Sequence, residues 1–322
     1  MPRLSFAFAI CFSLLAQQEP EPPTLQANVP LVLAPATVTD RKGSLIDGLT
    51  VHDFVLTDGG KPRKIRMDTS DTVLAPVSMI LLIQSSGIST PELSKIHSIG
   101  PMIKPLITGD RGQAAVVSYD REIQTRQEFT SDSGKIQLAI EQISPYSVKT
   151  ARLIDAVLQG VNLLATRPEN YRRVMLILGE SRDRGSKATL ASAIEKVQRA
   201  GVIVYFGTYS AQASAFTVKP EDDPSMPSDG NYIAAITELA RLGKKNAADA
   251  LAQSSGGRHL SFTRYSALEQ VISRTGEELH GQYLLSFVPA DDAGNSFRRI
   301  EVKIPSRPDA MIRVRPGYWP QK

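Results

Sequence analysis

Val77-Ser78-Met79-Ile80-Leu81-Leu82-Ile83-Gln84-Ser85-Ser86-Gly87-Ile88-Ser89 is an apolar run that stops abruptly in a polar, glycine-containing turn. A short continuous apolar stretch bounded by turn residues is the pattern of a strand covered on both faces, and such strands belong to parallel sheets flanked by helices. In open α/β sheets the ligand crevice lies outside the carboxyl ends of the strands. The Gln84-Ser85-Ser86-Gly87 turn is therefore the first place to look for function.

Outward from this run, strand-like and helix-like patterns alternate. Gln113–Tyr119 and residues 174–178 and 202–208 read as further buried strands. Thr90-Pro91 opens a helix carrying Leu93 and Ile96, since proline in the first turn loses no hydrogen bond. Leu153, Val157, Val161 and Leu164 fall on one helical face. Ser186 is placed to cap a helix with Leu190, Ile194 and Val197 on one side and Gly201 at its end. After an exposed excursion over 211–230, helical patterns return over 232–253 and 266–280. Strands separated by helices of this length predict βαβ units on a mainly parallel, doubly wound sheet over residues 77–280. Both flanks are β in texture. Residues 30–76 alternate around hairpin turns at Asp40-Arg41-Lys42-Gly43 and Asp58-Gly59-Gly60, and residues 281–320 hold three more strand patterns, at 282–288, 297–304 and 311–314. A three-strand fragment buries too little to stand alone, so the flanks are expected to pack together as one β-sandwich-like module.

Composition bounds the rest. The 322 residues are 42% apolar and 22% charged, with a formal net charge of +4 and a sequence pI near 9.1. The basic pairs Arg172-Arg173, Lys244-Lys245 and Arg298-Arg299 are scattered, which argues for solvated surface and against nucleic acid. Arg3 precedes an apolar segment from Leu4 to Ala16, too short to span a bilayer, and 17–29 is a Pro/Glu-rich linker. This predicts a signal peptide over 1–16, export to the periplasm or beyond, and a mature chain without a transmembrane segment. Cys11, the only cysteine, lies inside that signal, so no disulfide or thiol chemistry is expected of the mature chain.

Gln84-Ser85-Ser86-Gly87-Ile88 resembles the Asp-x-Ser-x-Ser loop of von Willebrand factor type A (vWA) domains. The wider chain resembles the exported vWA-related proteins first catalogued in acidobacteria. That likeness rests on Val38-Thr39-Asp40 with Gly43, Leu49 with Asp53-Phe54, Asp58-Gly59 with Pro62 and Ile65, the stretch Phe297-Arg298-Arg299-Ile300-Glu301-Val302-Lys303, and Arg315-Pro316-Gly317-Tyr318. The resemblance implies a Rossmann-like vWA fold and a protein-interaction role. It also implies where a metal ion-dependent adhesion site would be built: the first-strand loop, Thr150 before a helix, and Glu180, which takes the place of an aspartate after a later strand.

In this chain the site reads as degenerate. The leading carboxylate is replaced by Gln84, the first serine is kept as Ser86, and the second hydroxyl is replaced by Ile88. Mg²⁺ prefers carboxylate and hydroxyl oxygens in near-ideal octahedral array. Removing one unit of charge beside a dication forfeits on the order of 8 kcal/mol at about 4 Å with an effective dielectric near 20, before solvent compensates. No tightly held cofactor is therefore expected. The alternative is weak Mg²⁺ or Mn²⁺ binding by Ser86, Thr150, Glu180 and Asp183. Without an ion, Gln84, Ser86 and Thr150 are expected to hydrogen-bond one another at the mouth of the sheet, leaving a face for a protein or peptide partner.

Enzyme readings are poorer. Gly179-Glu180-Ser181-Arg182-Asp183 imitates a Gly-x-Ser-x-Gly elbow with Asp183 where the last glycine belongs, and His259 and His280 lie downstream as conceivable bases. No Gly-x-Gly-x-x-Gly or Gly-Lys-Ser/Thr phosphate loop follows the first strand. Glu221-Asp222-Asp223 lacks the spaced ligands of a Ca²⁺ loop and reads as a solvated acidic turn. The sequence thus predicts an exported, non-enzymatic interaction protein, with a serine hydrolase as its remote alternative.

Overall fold

The computed structural model describes residues 31–68, 75–86, 89–168, 170–209, 233, 246–262, 265–289 and 296–320. The expected signal and linker segments, Gly87-Ile88, the expected excursion over 211–230 with its acidic turn, and positions 232 and 234–245 of the expected helical stretch lie outside these residues.

The strand Val77–Gln84 (β5 in chain order) is buried along its whole length. Its side chains alternate between two separate cores: Met79, Leu81 and Ile83 face one, Ile80 and Leu82 the other. The same division holds for Arg172–Gly179 (β8), with Val174, Leu176 and Leu178 on one side and Met175 and Ile177 on the other. This two-sided burial is why these strands are continuously apolar. With Gln113–Tyr119 (β6), Ile123–Thr130 (β7), Ile203–Tyr209 (β9) and His259–Phe262 (β10) they form a six-stranded sheet in the order β10-β9-β8-β5-β6-β7. Every neighbouring pair is parallel except β6 with β7.

Helices cover both faces. Thr90–Ile96 (α1), Gly100–Ile103 (α2), Ser133–Glu141 (α3) and Tyr265–His280 (α7) supply the first core. Leu153–Ala165 (α4), Leu190–Arg199 (α5) and Ala247–Ser255 (α6) supply the second. Leu153, Val157, Val161 and Leu164 all point inward from α4, as their spacing requires. Gly201, at φ +63°, closes the chain after α5. The cap of α5 differs from the sequence reading. Thr189 takes that position, its hydroxyl accepting the Ser192 amide at 3.2 Å, while Ser186 is held in the preceding loop. This is the Rossmann-like α/β arrangement, mainly parallel and wound on both faces.

The flanks form two further four-stranded antiparallel sheets, ordered β13-β1-β11-β4 and β14-β12-β2-β3. Val32–Thr39 (β1), Val55–Asp58 (β2), Lys61–Arg63 (β3) and Ile65–Asp68 (β4) precede the α/β unit, whereas Tyr283–Phe287 (β11), Arg298–Lys303 (β12), Met311–Arg313 (β13) and Gly317–Tyr318 (β14) follow it. Residues from both flanks share one core, among them Ala34, Ala36, Val38, Leu56, Leu285, Phe287, Ile300 and Val302. The sandwich joins the α/β unit at the carboxyl ends of α5 and α6. There Arg315 donates to the Gln198 carbonyl at 2.6 Å, Arg199 lies 4.2 Å over the Trp319 ring, and Arg313 donates to the Gly256 carbonyl at 3.3 Å. This is the end of the sheet away from the Gln84 turn. No described helix is long and apolar enough to cross a membrane.

Candidate functional site

Strand order reverses around β5, because the chain moves from it to β6 on one side and later returns to β8 on the other. That topological switch point opens a crevice at the carboxyl ends of β5 and β8. Gln84 ends the first and Gly179 the second, so Gln84 and Glu180 meet at the mouth.

Gln84 is fully buried. Its Oε1 accepts the Glu180 backbone N–H at 2.7 Å, and its Nε2 donates to Ser86 Oγ at 2.7 Å and to Glu180 Oε2 at 3.4 Å. The amide has only one workable orientation, since the Glu180 N–H can donate but cannot accept. The NH₂ end is thereby aimed at the mouth. Gly179 makes room for it: a Cβ there would lie 2.8 Å from Gln84 Oε1 and closer still to the Tyr119 hydroxyl. Tyr119 is buried, its hydroxyl has no hydrogen-bond partner among the described residues, and burial, reinforced by Tyr209, Glu180 and Asp183, pushes its pKa far up.

The surrounding loops are tied to this pair by backbone bonds. The Tyr146 N–H donates to the Ser85 carbonyl at 2.9 Å, which brings the 144–150 loop beside Ser86. Ser85 Oγ donates to Asp120 Oδ2 at 3.0 Å, and Asp120 Oδ1 accepts the Glu122 N–H at 2.8 Å. Ala151 and Arg184 exchange two backbone bonds of 3.0 and 2.8 Å, which clamps the 149–152 loop onto the 180–187 loop. Arg184 Nε then reaches Glu180 Oε2 at 3.2 Å.

The remaining carboxylates are turned inward. Asp183 Oδ1 accepts the Ile154 N–H at 3.0 Å and the Ser186 hydroxyl at 2.5 Å, and its Oδ2 accepts the Ser186 N–H at 3.1 Å. Asp155 accepts the amides of Lys187 and Ala188 at 3.0 and 2.9 Å and pairs with Arg152. Burial acts to raise the Asp155 pKa, but the two amides and Arg152 outweigh it and hold the carboxyl below its ordinary value. Thr150 is half-buried, and its methyl would lie 3.1 Å from a Cβ at Gly185, a glycine at φ +106°. No hydrogen bond joins the Thr150 hydroxyl to Gln84 or Ser86, so of the three residues expected to bond mutually only Gln84 and Ser86 do. Among the described residues no cluster of three His, Cys, Asp or Glu side chains is arranged to hold a metal ion.

Ser181 has no histidine partner among the described residues. His259 Nδ1 faces Asp249 Oδ1 at 2.6 Å and its Nε2 faces Thr208 Oγ1 at 2.8 Å. His280 lies at the end of α7, its pKa lowered by burial and by Arg172, against a hydrogen bond to the Leu106 backbone. Sequence reading missed the Asp249–His259–Thr208 chain because its members come from a helix and two strands with no shared spacing. It also missed the anchoring parts of Asp120 and Asp155, whose only signal is that each stands next to a turn leading into the mouth.

No protein-family model matches the chain, and no curated protein matches it. Solved structures similar to it include BatB from Bacteroides thetaiotaomicron, 13% identical, with 62% of this chain and 99% of that chain covered and a TM-score of 0.42. A von Willebrand factor type A protein from Catenulispora acidiphila is 13% identical, with 79% of this chain and 51% of that one covered and a TM-score of 0.47. Proximal thread matrix protein 1 from the mussel byssus, solved with a zinc-occupied MIDAS motif, is 11% identical, with 66% and 47% covered and a TM-score of 0.46. The fold itself rests on the strand order and two-sided packing of this chain.

Proposed function

We propose that this is an exported, non-enzymatic interaction protein that captures a protein or peptide at the mouth formed by Gln84, Ser86, Thr150 and Glu180, without a bridging divalent cation. The observation that carries the reading is the direction of the Gln84 amide. Its oxygen is committed to the Glu180 N–H, and its NH₂ group points to where a cation would need an oxygen. Glu180 Oε2 is shared between that NH₂ and the Arg184 guanidinium, and the Asp183 oxygens are taken up by the Ile154 amide and by Ser186. A donor set of N–H groups around one neutralised carboxylate does not fit Mg²⁺ or Mn²⁺. Such a face recognises a partner by shape and direct hydrogen bonds, positioned by loops that the backbone bonds already hold in place.

The competing role is that of a scaffold that uses a helix face or the sandwich. Panning a phage-displayed random peptide library against the full chain in EDTA, then measuring the enriched peptides against a Thr150→Ala/Glu180→Ala variant, separates the two. The proposal expects peptides whose binding is lost in a variant that still folds. Peptides that bind the variant as well as the parent would assign capture to another surface.

A further inference from the structure

We infer that the mouth selects an acidic, extended segment of a protein partner, gripped by a rim of unpaired cations around Tyr146; this rests on the reading of the mouth as an interaction face. The inward carboxylates, Asp120, Asp155, Asp183 and Glu180, are each engaged by hydroxyl, amide or guanidinium donors within the mouth. The charges left on the outside are unequal. Arg121, Lys149, Arg182 and Lys187 are all exposed, and none of their side chains makes a hydrogen bond or ion pair among the described residues. Glu122 is the one exposed carboxylate in the same loops, and it accepts from Gln124 Nε2 at 3.3 Å.

These cations belong to one rim although they are far apart in sequence. The Ala151–Arg184 exchange sets Lys149 beside the loop that bears Arg182, and Arg152 Nη1 donates to the Arg121 carbonyl at 3.4 Å. The Lys187 amide is fixed on Asp155, which also pairs with Arg152. Tyr146 is 50% exposed, with its backbone bonded to Ser85, whose hydroxyl holds Asp120 next to Arg121. Tyrosine and arginine, both present on this rim, are residue types enriched in protein-binding hot spots. A stacking surface for nucleic acid would need several aromatics along a continuous basic track. The complementary ligand has carboxylates for the rim and an apolar or aromatic side chain for Tyr146, and its attraction is strongest at low salt.

The test uses fluorescein-labelled decapeptides in EDTA: one alternating Glu with Leu and Tyr, one with Lys replacing Glu, one with Ser replacing Glu, and a single-stranded oligonucleotide matched in charge to the first. Fluorescence anisotropy should show binding of the acidic peptide alone, weakening as NaCl is raised. An Arg182→Glu/Lys187→Glu variant should lose about tenfold or more in affinity, whereas Lys303→Glu, on the far sandwich, should change nothing. Circular dichroism melting checks that both variants fold. If the Ser peptide binds best and Glu180→Ala abolishes that binding, the acidic partner is overturned while the mouth remains the interaction face. If no peptide binds and phage panning also yields none, both readings fall. An oligonucleotide that binds as tightly as the acidic peptide, or equal losses in the rim and sandwich reversals, would reduce the rim to a non-selective polyanion surface and overturn the proposal.

Discussion

Gln84 organises the mouth because its two ends are chemically opposite and only one orientation satisfies the Glu180 amide. Gly179 is the residue that tolerates it. Gly179→Ala forces a methyl against Gln84 Oε1 and the Tyr119 hydroxyl, so a loss of about 1–3 kcal/mol is expected in urea unfolding. Asp155 is the other pivot, because one carboxylate holds two amides of the 180–188 loop and Arg152. Removing it in Asp155→Ala leaves those amides unpaired and should cost about 2 kcal/mol. Its folded pKa lies below the unfolded one, so its contribution is complete above the ordinary carboxylate pKa of about 4 and disappears as pH falls through the lower folded value. The stability difference between parent and Asp155→Ala, followed from pH 7 downward, should therefore shrink only on the acid side of about pH 4; a difference that narrows near neutrality would contradict this role.

At the scale of elements, what the sequence disclosed followed burial. β5, β6, β8 and β9 were legible because both faces are covered and their central side chains are almost all apolar. β7 escaped notice because it is an edge strand, half-buried and polar, with register shifts against β6 that break its alternation. α3 also escaped, although Asp132 caps it by accepting the Gly134 and Lys135 amides at 2.8 and 3.2 Å, and Ile136, Ala139 and Ile140 mark its inner face. The cap of α5 was misplaced because Ser186 and Thr189 stand one turn apart and both are good cap residues; the Ser186 hydroxyl is instead taken up by Asp183 and by the Asp155 amide. Thr189→Ala is accordingly expected to cost about 1 kcal/mol through loss of the cap. Ser186→Ala should act instead on the Asp183 loop, detectable as faster hydrogen exchange at the Ile154 amide than in the Thr189 variant.

Across the whole molecule, the two described β flanks meet in a sandwich at one end of the α/β sheet while the mouth lies at the other. The inability of a three-strand fragment to bury a core alone pointed to that pairing of flanks, and β1 with β11 realises it through partners such as Ala34 and Leu285. The mouth was legible as a composition, with an amide where an acid belongs, but not as a geometry. That Asp183 and Asp155 turn inward, that Thr150 does not bond Gln84, and that the rim is left cationic all depend on loop-to-loop bonds between residues far apart in sequence. Separation of the sandwich from the mouth predicts that Phe287→Ala, which empties a core site packed edge-on against Tyr318 with ring centroids 5.6 Å apart, costs about 3–5 kcal/mol yet leaves peptide binding at the mouth unchanged wherever the variant is folded. Whether the mouth holds an ion is decided at Gln84. Calorimetric titration of Mg²⁺ and Mn²⁺ into the protein and into Gln84→Asp should give no binding heat for the parent and saturable heat for the variant, whose new carboxylate restores the missing charge. Saturable micromolar binding by the parent would contradict the cation-free mouth.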